Sequence, residues 1–328
     1  WDDLKQAQPG FTHHEMLNSL LTCDTGIQVI DEHINHLYQA GYLHNHIRMY
    51  VASIACNIGK AHWKIPAKWL YYHLLDGDMA SNNCSWQWVA ASFSSKKYYC
   101  NQENINKYTN TNQTGTFLDN TYEQIASIKV PNSLALTTSL QLHTILPNTK
   151  SPKLDLSKPT LLYNAYNLDP NWRANENVNR VLLLEPSHFN ENPVSEKVLD
   201  FILAVSKNIP SIQVFVGEVS EILALYNECN MEINELIISK EHPAFEYYPG
   251  IKDQRDWMFP SVTGFYPSFF KFWESFLQTC STSKANSESP VACNAASPTV
   301  PIISMKKRFL SNTSISFVHN GKVKVPLW

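Results

Sequence analysis

No apolar run of about 18 residues occurs in the 328-residue chain, and no secretory leader pattern opens it, so no segment is predicted to span a membrane. No CxxC pair occurs among the seven cysteines (Cys23, Cys56, Cys84, Cys100, Cys229, Cys280, Cys293). Their odd number and scatter argue against a disulfide frame or a zinc site, and for free thiols in a reducing, cytoplasmic compartment. Basic charge is not in excess: 26 Lys and Arg against 29 Asp and Glu leave a formal charge of -3. Any nucleic-acid partner must then be held by a local patch, since no global field attracts it. There is no Gly-rich phosphate cradle and no internal repeat. The opening WDDLK has no Met, which leads us to expect a processed or truncated piece of something longer. What is present is ordinary for a globular chain with room for two domains: 44% hydrophobic and 17% charged residues. Aromatics reach 12% and cluster.

Hydrophobic spacing divides the chain. Residues 1–24 are polar, broken at Pro9-Gly10, and read as a loop leading into a short helix. Thr25 with Gln28 reads as a capping box, followed by Ile27, Ile30, Ile34, Leu37 and Tyr38 at helical spacing up to Gly41. A second helix is expected over about His44–Lys60, a third from Pro66 to near Asp76, and a fourth over 81–92 capped by Ser81 or Asn82. Residues 98–157 are Asn/Thr-rich, then mixed, with a helix or two before Pro147. Beyond Lys158 the pattern changes to short β-like runs at Thr160–Tyr166, Arg180–Glu185, Ile212–Val216 and Glu235–Ser239. Helices are expected between them at Val194–Lys207, with Val198, Phe201, Ile202 and Val205 as its stripe, and at about Ser220–Asn227. Such alternation predicts a small parallel α/β module. The aromatic segment 257–277 reads as a packing helix and 281–300 as a linker. The expected architecture is mainly α: a helical domain over 1–157, a small α/β module over 158–280, and a linker and tail over 281–328.

Polar residues inside the helical pattern invite a functional reading. His44 and Arg48 lie four apart, as do Asn45 and Met49, so each pair shares a helix face. The DGD turn offers Asp76 and Asp78 as partners for Arg48. A buried Arg–Asp pair that only fixes helix packing accounts for the same residues equally well. Eight of the twelve histidines precede residue 74, but no third ligand is spaced to complete a metal site. Trp86 and Trp88 flank one residue of a helix and so point to different faces, while Trp63 sits in a polar turn. Taken singly, each is more often a core residue than a redox one.

As an ordered set, TGIQVID, GYLHNHIRM, the Trp of AHW and DGDMASNNCSWQWVA resemble the FAD-binding helical domain of the photolyase/cryptochrome family over about Thr25–Asn104. The resemblance implies an FAD cofactor in a helical bowl lined by His44, Asn45, Arg48, Asp76, Gly77, Asp78 and Asn82. Asn82 would face flavin N5, and Arg48 would pair Asp76. Trp86 and Trp63 match the first two members of the family's electron-transfer chain. Its third member should fall near Gly10–Phe11, where no Trp stands, so Trp1 is the upstream candidate. Asn45 and Met49 are the residues that repairers of cyclobutane pyrimidine dimers carry. His46 and Trp88 would join them at the substrate, Trp88 as a stacking wall for flipped-out bases. Lys96 and Lys97, with Lys107 nearby, would hold backbone phosphates. The implied activity is that of a deoxyribodipyrimidine photo-lyase acting on damaged DNA, with a cryptochrome-type photoreceptor without repair activity, or an inactive fragment, as the alternative. The sequence has no match to the family's Thr-Ser-x-Leu-Ser phosphate loop or its Trp–Glu–Trp–Arg helix. Half a bowl is expected to hold FAD weakly, or only with a missing segment supplied.

Overall fold

The computed structural model describes residues 1–226, 236–256, 262, 264, 266, 269–285, 317–319 and 322–324. Its chain enters through β1 (Met16–Leu17) and α1 (Asn18–Leu21), and β1 pairs antiparallel with β2 (Thr137–Thr138). Helix α2 (Gln28–Ala40) buries Val29, Ile30, Ile34 and Leu37 on one stripe. The capping box expected from Thr25 and Gln28 is not formed. Instead the Asp31 carboxylate accepts from the Thr25 backbone N–H (2.9 Å) and hydroxyl (2.8 Å), while the Gln28 amide turns to Glu32. A charged acceptor beside the helix start binds these donors better than a neutral side chain does. The helix ends where expected, at Gly41 with φ 69°. Any Cβ there would lie 2.6 Å from Leu75 Cγ, so the turn needs glycine twice over.

The helix expected over His44–Lys60 has two parts. Helix α3 (Asn45–Ala52) widens into a π-turn over Ser53–Ile58, all six residues buried. The Asn57 amide, which donates to the carbonyls of Val89 (2.9 Å) and Tyr98 (2.7 Å), occupies this wide turn. Helix α4 (Lys64–His73) and α5 (Met79–Val89) follow. The α5 cap is Asp78, not Ser81 or Asn82. Then come α6 (Gln102–Thr109) and α7 (Tyr122–Ser127). Residues 139–155 carry no regular structure.

Beyond them lies a five-stranded parallel sheet of β3 (Thr160–Tyr163), β4 (Asn179–Leu184), β5 (Gln213–Val216), β6 (Ile237–Lys240) and β7 (Ile251–Asp253), ordered β5-β4-β3-β6-β7. The register sets Tyr163 opposite Leu182 and Leu162 opposite Ser239. The runs TLLY and VLLL are buried throughout, as strands covered on both faces require. The connections carry α8 (Pro186–Glu191), α9 (Glu196–Ser206) and α10 (Val219–Ala224). On α9 the buried stripe is Val198, Leu199 and Ile202; Phe201, expected to be in it, is 43% exposed. β7 and α8 carried no clear sequence signal, β7 because its three residues include two charges.

The helices and the sheet share one compact unit, residues 1–241 with 245–253. Its helical core includes Ile30, Val51, Ile54, Trp63, Leu70 and Trp86. The core of the sheet gathers Leu161, Tyr163, Leu182, Leu184, Val198 and Ile202, together with Tyr71 from α4. A second unit, residues 242–244 with 254–328, contains α11 (Phe269–Ala285) and the antiparallel pair β8 (Phe317–His319) and β9 (Lys322–Lys324). The packing helix expected over 257–277 thus lies partly outside the described residues. So do most of the linker and tail expected over 281–328.

Candidate functional site

Helix α3, the turn after α4 and the start of α5 bring the polar set together. Arg48 Nη2 donates to both carboxylate oxygens of Asp76 at 2.8 Å, and its Nε donates to the Leu43 carbonyl at 2.7 Å. One planar guanidinium thus ties Leu43, two residues before α3, to the turn after α4, which a lysine could not reproduce. Asp76 remains half-exposed, so the pair is not a dry core bridge. Two residues on, Asp78 Oδ1 accepts the Ser81 N–H at 2.6 Å and starts α5. Gly77 N–H closes back on the Leu74 carbonyl at 3.2 Å.

One turn into α5, Asn82 is 9% exposed and its Nδ2 donates to the Ala67 carbonyl at 2.9 Å. That bond fixes the amide and leaves its oxygen without a donor among the described residues. Nearby on the same helix, Asn83 Oδ1 and Trp86 Nε1 are buried and likewise unpaired. Unpaired buried polar atoms are costly, and so many on one helix mark a place where a polar ligand can complete the bonding.

His44 is exposed and caps α3 through its own ring nitrogen, 3.3 Å from the His46 N–H. Burial first, then neighbouring His46, His33 and Arg48, hold its pKa below the usual histidine value. Asn45 and Met49 are half-buried on α3, one turn apart. His46 is exposed against Tyr108 at 5.1 Å. Lys96 is exposed, whereas Lys97 is half-buried, with burial and then the Lys60 ammonium lowering its pKa. Of the two lysines, Lys96 is the more accessible.

The tryptophans divide by burial. Trp86 is 2% exposed, and Trp88, half-buried, tilts over Tyr98 at 5.6 Å. Trp63, expected in a polar turn, is instead fully buried at the start of α4. Its indole N–H donates to Asp3 Oδ1 at 2.7 Å. Trp1 stacks on it, with ring centroids 6.4 Å apart and planes at 21°, and Trp1 Nε1 donates to Asn192 Oδ1 at 2.6 Å. Asp3 could not be found from sequence, because 60 residues separate it from Trp63 and no motif links them.

Residues 1–135 match the FAD binding domain of DNA photolyase. This part of the chain is similar to the FAD-binding domain of the photolyase/cryptochrome family. Relatives named deoxyribodipyrimidine photo-lyase include one from Agrobacterium fabrum, 41% identical over 68 residues (21% of this chain, 14% of the relative). Those of Escherichia coli and Synechococcus are 32% identical over 92 and 89 residues, covering 28% and 27% of this chain and 19% and 18% of theirs. The chain thus spans less than a fifth of the length of these relatives. No solved structure matches it. No helix among the described residues is long and apolar enough to cross a membrane.

The cofactor of the matched photolyase domain is FAD, and the residues present fit it. Asn82 offers an acceptor with its partner side already fixed, the Asp76 and Asp78 turn offers carboxylates for ring N–H groups, and the unpaired Asn83 Oδ1 and Trp86 Nε1 stand on the same helix as Asn82.

Proposed function

We propose that this chain is the FAD-holding part of a photolyase-like flavoprotein that repairs cyclobutane pyrimidine dimers in DNA by light-driven electron transfer. The observation that supports this reading is the Arg48–Asp76 pair joining α3 to the turn whose Asp78 caps α5, one turn before Asn82, together with the half-buried Trp1 stacked on the buried Trp63. FAD, when bound, supplies the light-driven electron. Arg48 holds Asp76, Asp78 fixes the start of α5, and Asn82 presents its oxygen where a ring N–H is to be held. Trp63 and Trp86 serve as relays, because an indole can release an electron and an aliphatic core residue cannot. Trp1 becomes the outer member through its stacking on Trp63. Asp3 favours an oxidised Trp63, since a carboxylate accepting the indole N–H stabilises positive charge there. Asn45, His46, Met49 and Trp88 form the substrate wall, with Lys96 and Lys97 at backbone phosphates.

The test is light-dependent repair of dimer-containing oligonucleotides by the FAD-loaded chain. Trp88→Ala is expected to weaken binding to the dimer about tenfold, as loss of one base-stacking ring should. A variant that binds and repairs at the full rate removes the substrate assignment. A chain that photoreduces FAD yet repairs nothing is a blue-light receptor of the cryptochrome type.

A further inference from the structure

The turn that carries Asp76, Gly77 and Asp78 is supported from below by the part of the chain that holds the sheet. A Cβ built on Gly77 would stand 3.3 Å from Tyr71 Cδ2 and 3.4 Å from Cε2, so the Tyr71 ring lies directly under the turn. Tyr71 is 5% exposed and sits in the apolar core of the sheet with Tyr163, Leu182 and Val198. Its hydroxyl lies 2.7 Å from that of Tyr166, in the loop after β3. Met79, the first residue of α5, packs partly buried against the same core of the sheet. The start of that helix is capped by Asp78, which takes the Ser81 N–H.

Tyr166 is itself held. Its N–H donates to Asn164 Oδ1 at 2.9 Å, an Asx turn at the end of the central strand of five. A second tie runs close by, from the Ser195 N–H to the Tyr72 carbonyl at the end of α4 (2.9 Å). Burial raises both phenol pKa values, that of Tyr71 to about 12, so both hydroxyls stay protonated.

We infer that Tyr166 is a positioning residue for the Asp76–Asp78 turn and the start of α5, so that the loop after β3 is a working part of the cofactor site. The inference rests on the FAD reading above and extends it: a segment outside the photolyase match supports the wall of the bowl. It acts through Tyr71, whose hydroxyl it meets and whose ring underlies Gly77.

The test compares full-length wild type with Tyr166→Phe and Tyr71→Phe, which keep the rings and remove one hydroxyl each. Amide hydrogen exchange over residues 74–84 is measured in the chain without added FAD, and FAD affinity by quenching of flavin fluorescence. Expected are faster exchange at Met79 and its neighbours, FAD binding weakened about tenfold in either variant, and no further loss in the double variant. Unchanged exchange overturns the positioning role. Faster exchange with unchanged FAD affinity overturns its connection to the cofactor. A wild-type chain that takes up no FAD removes the cofactor reading and the connection with it, while the exchange data still decide whether Tyr166 holds the turn.

Discussion

Arg48 makes three hydrogen bonds from one guanidinium, and their geometry separates its two roles. As an ion pair with a half-exposed acid it adds only about 0–1 kcal/mol to stability. As the tie between α3 and the acid turn it matters more to what that turn holds. Arg48→Lys is therefore expected to change the unfolding free energy by under about 1 kcal/mol while lowering FAD affinity roughly tenfold, the factor that about 1.4 kcal/mol represents. Parallel denaturation and flavin titrations check this, and equal small effects on both would deny Arg48 a part in binding. His73 gives a pH prediction. Its ring packs against Tyr38, Trp69 and Tyr72, and burial, then Lys197, lowers its pKa to about 4. The unfolded chain protonates this histidine near 6.5, the folded chain only near 4. Between those values the unfolded state binds more protons, so stability falls as pH drops through that window and the loss levels off below it. Discounted for the ring's partial exposure, the loss is roughly 2 kcal/mol. His73→Phe should flatten this part of a stability–pH curve, and an unchanged slope would assign it to other groups.

The π-turn of Ser53–Ile58 is the element whose irregularity has an identifiable cause. Asn57 sends its amide to two carbonyls on other segments, and the backbone widens to let it, with Gly59 N–H reaching back to the Ile54 carbonyl at 2.8 Å. The same turn brings Ser53 to the Cys100 N–H at 3.1 Å. Asn57→Ala removes one donor from each of two carbonyls, of which Val89 keeps the Tyr98 N–H, and is expected to destabilise by about 1–3 kcal/mol. Asn57→Asp should be worse, because it also buries a charge. Thermal unfolding distinguishes these, and a loss within experimental error for alanine would show that the turn is held by its apolar neighbours alone. Helix α5 is organised from its first residues: Asp78 fixes where it begins, and that phase decides which faces Asn82, Trp86 and Trp88 present.

At the scale of the molecule, the helices and the parallel sheet form one packing unit. Tyr71, Leu75, Met79 and Trp1 all pack against the sheet's core, and Trp1 is fastened to Asn192. A fragment ending at residue 158 would return these side chains to water. Burial of one such side chain is worth about 1.5–3 kcal/mol. The fragment is therefore expected to unfold at least roughly 5 °C lower than the whole unit. Differential scanning calorimetry reads this directly, and identical transitions would mean that the helical part folds without help.

Much of this was legible in residue order alone. Helical spacing located α2, α3, α4 and α5, because an apolar stripe must recur every three to four residues to reach a core. The runs TLLY, VLLL and QVFV marked strands, the first two buried on both faces, and the motif order from TGIQVID to SWQWVA pointed to the family. Short-range competition was not legible: Asp31 took the donors assigned to Gln28, and Asp78 the cap assigned to Ser81 or Asn82, since each outcome depends on exact backbone geometry. Nor were contacts between distant segments, such as Asp3 with Trp63, Trp1 with Asn192, or Tyr71 with Tyr166, which lie 60, 191 and 95 residues apart. Periodicity reports which face of an element is apolar, but only tertiary packing decides which other element it meets, and hydrogen bonds between remote polar groups leave no period to read.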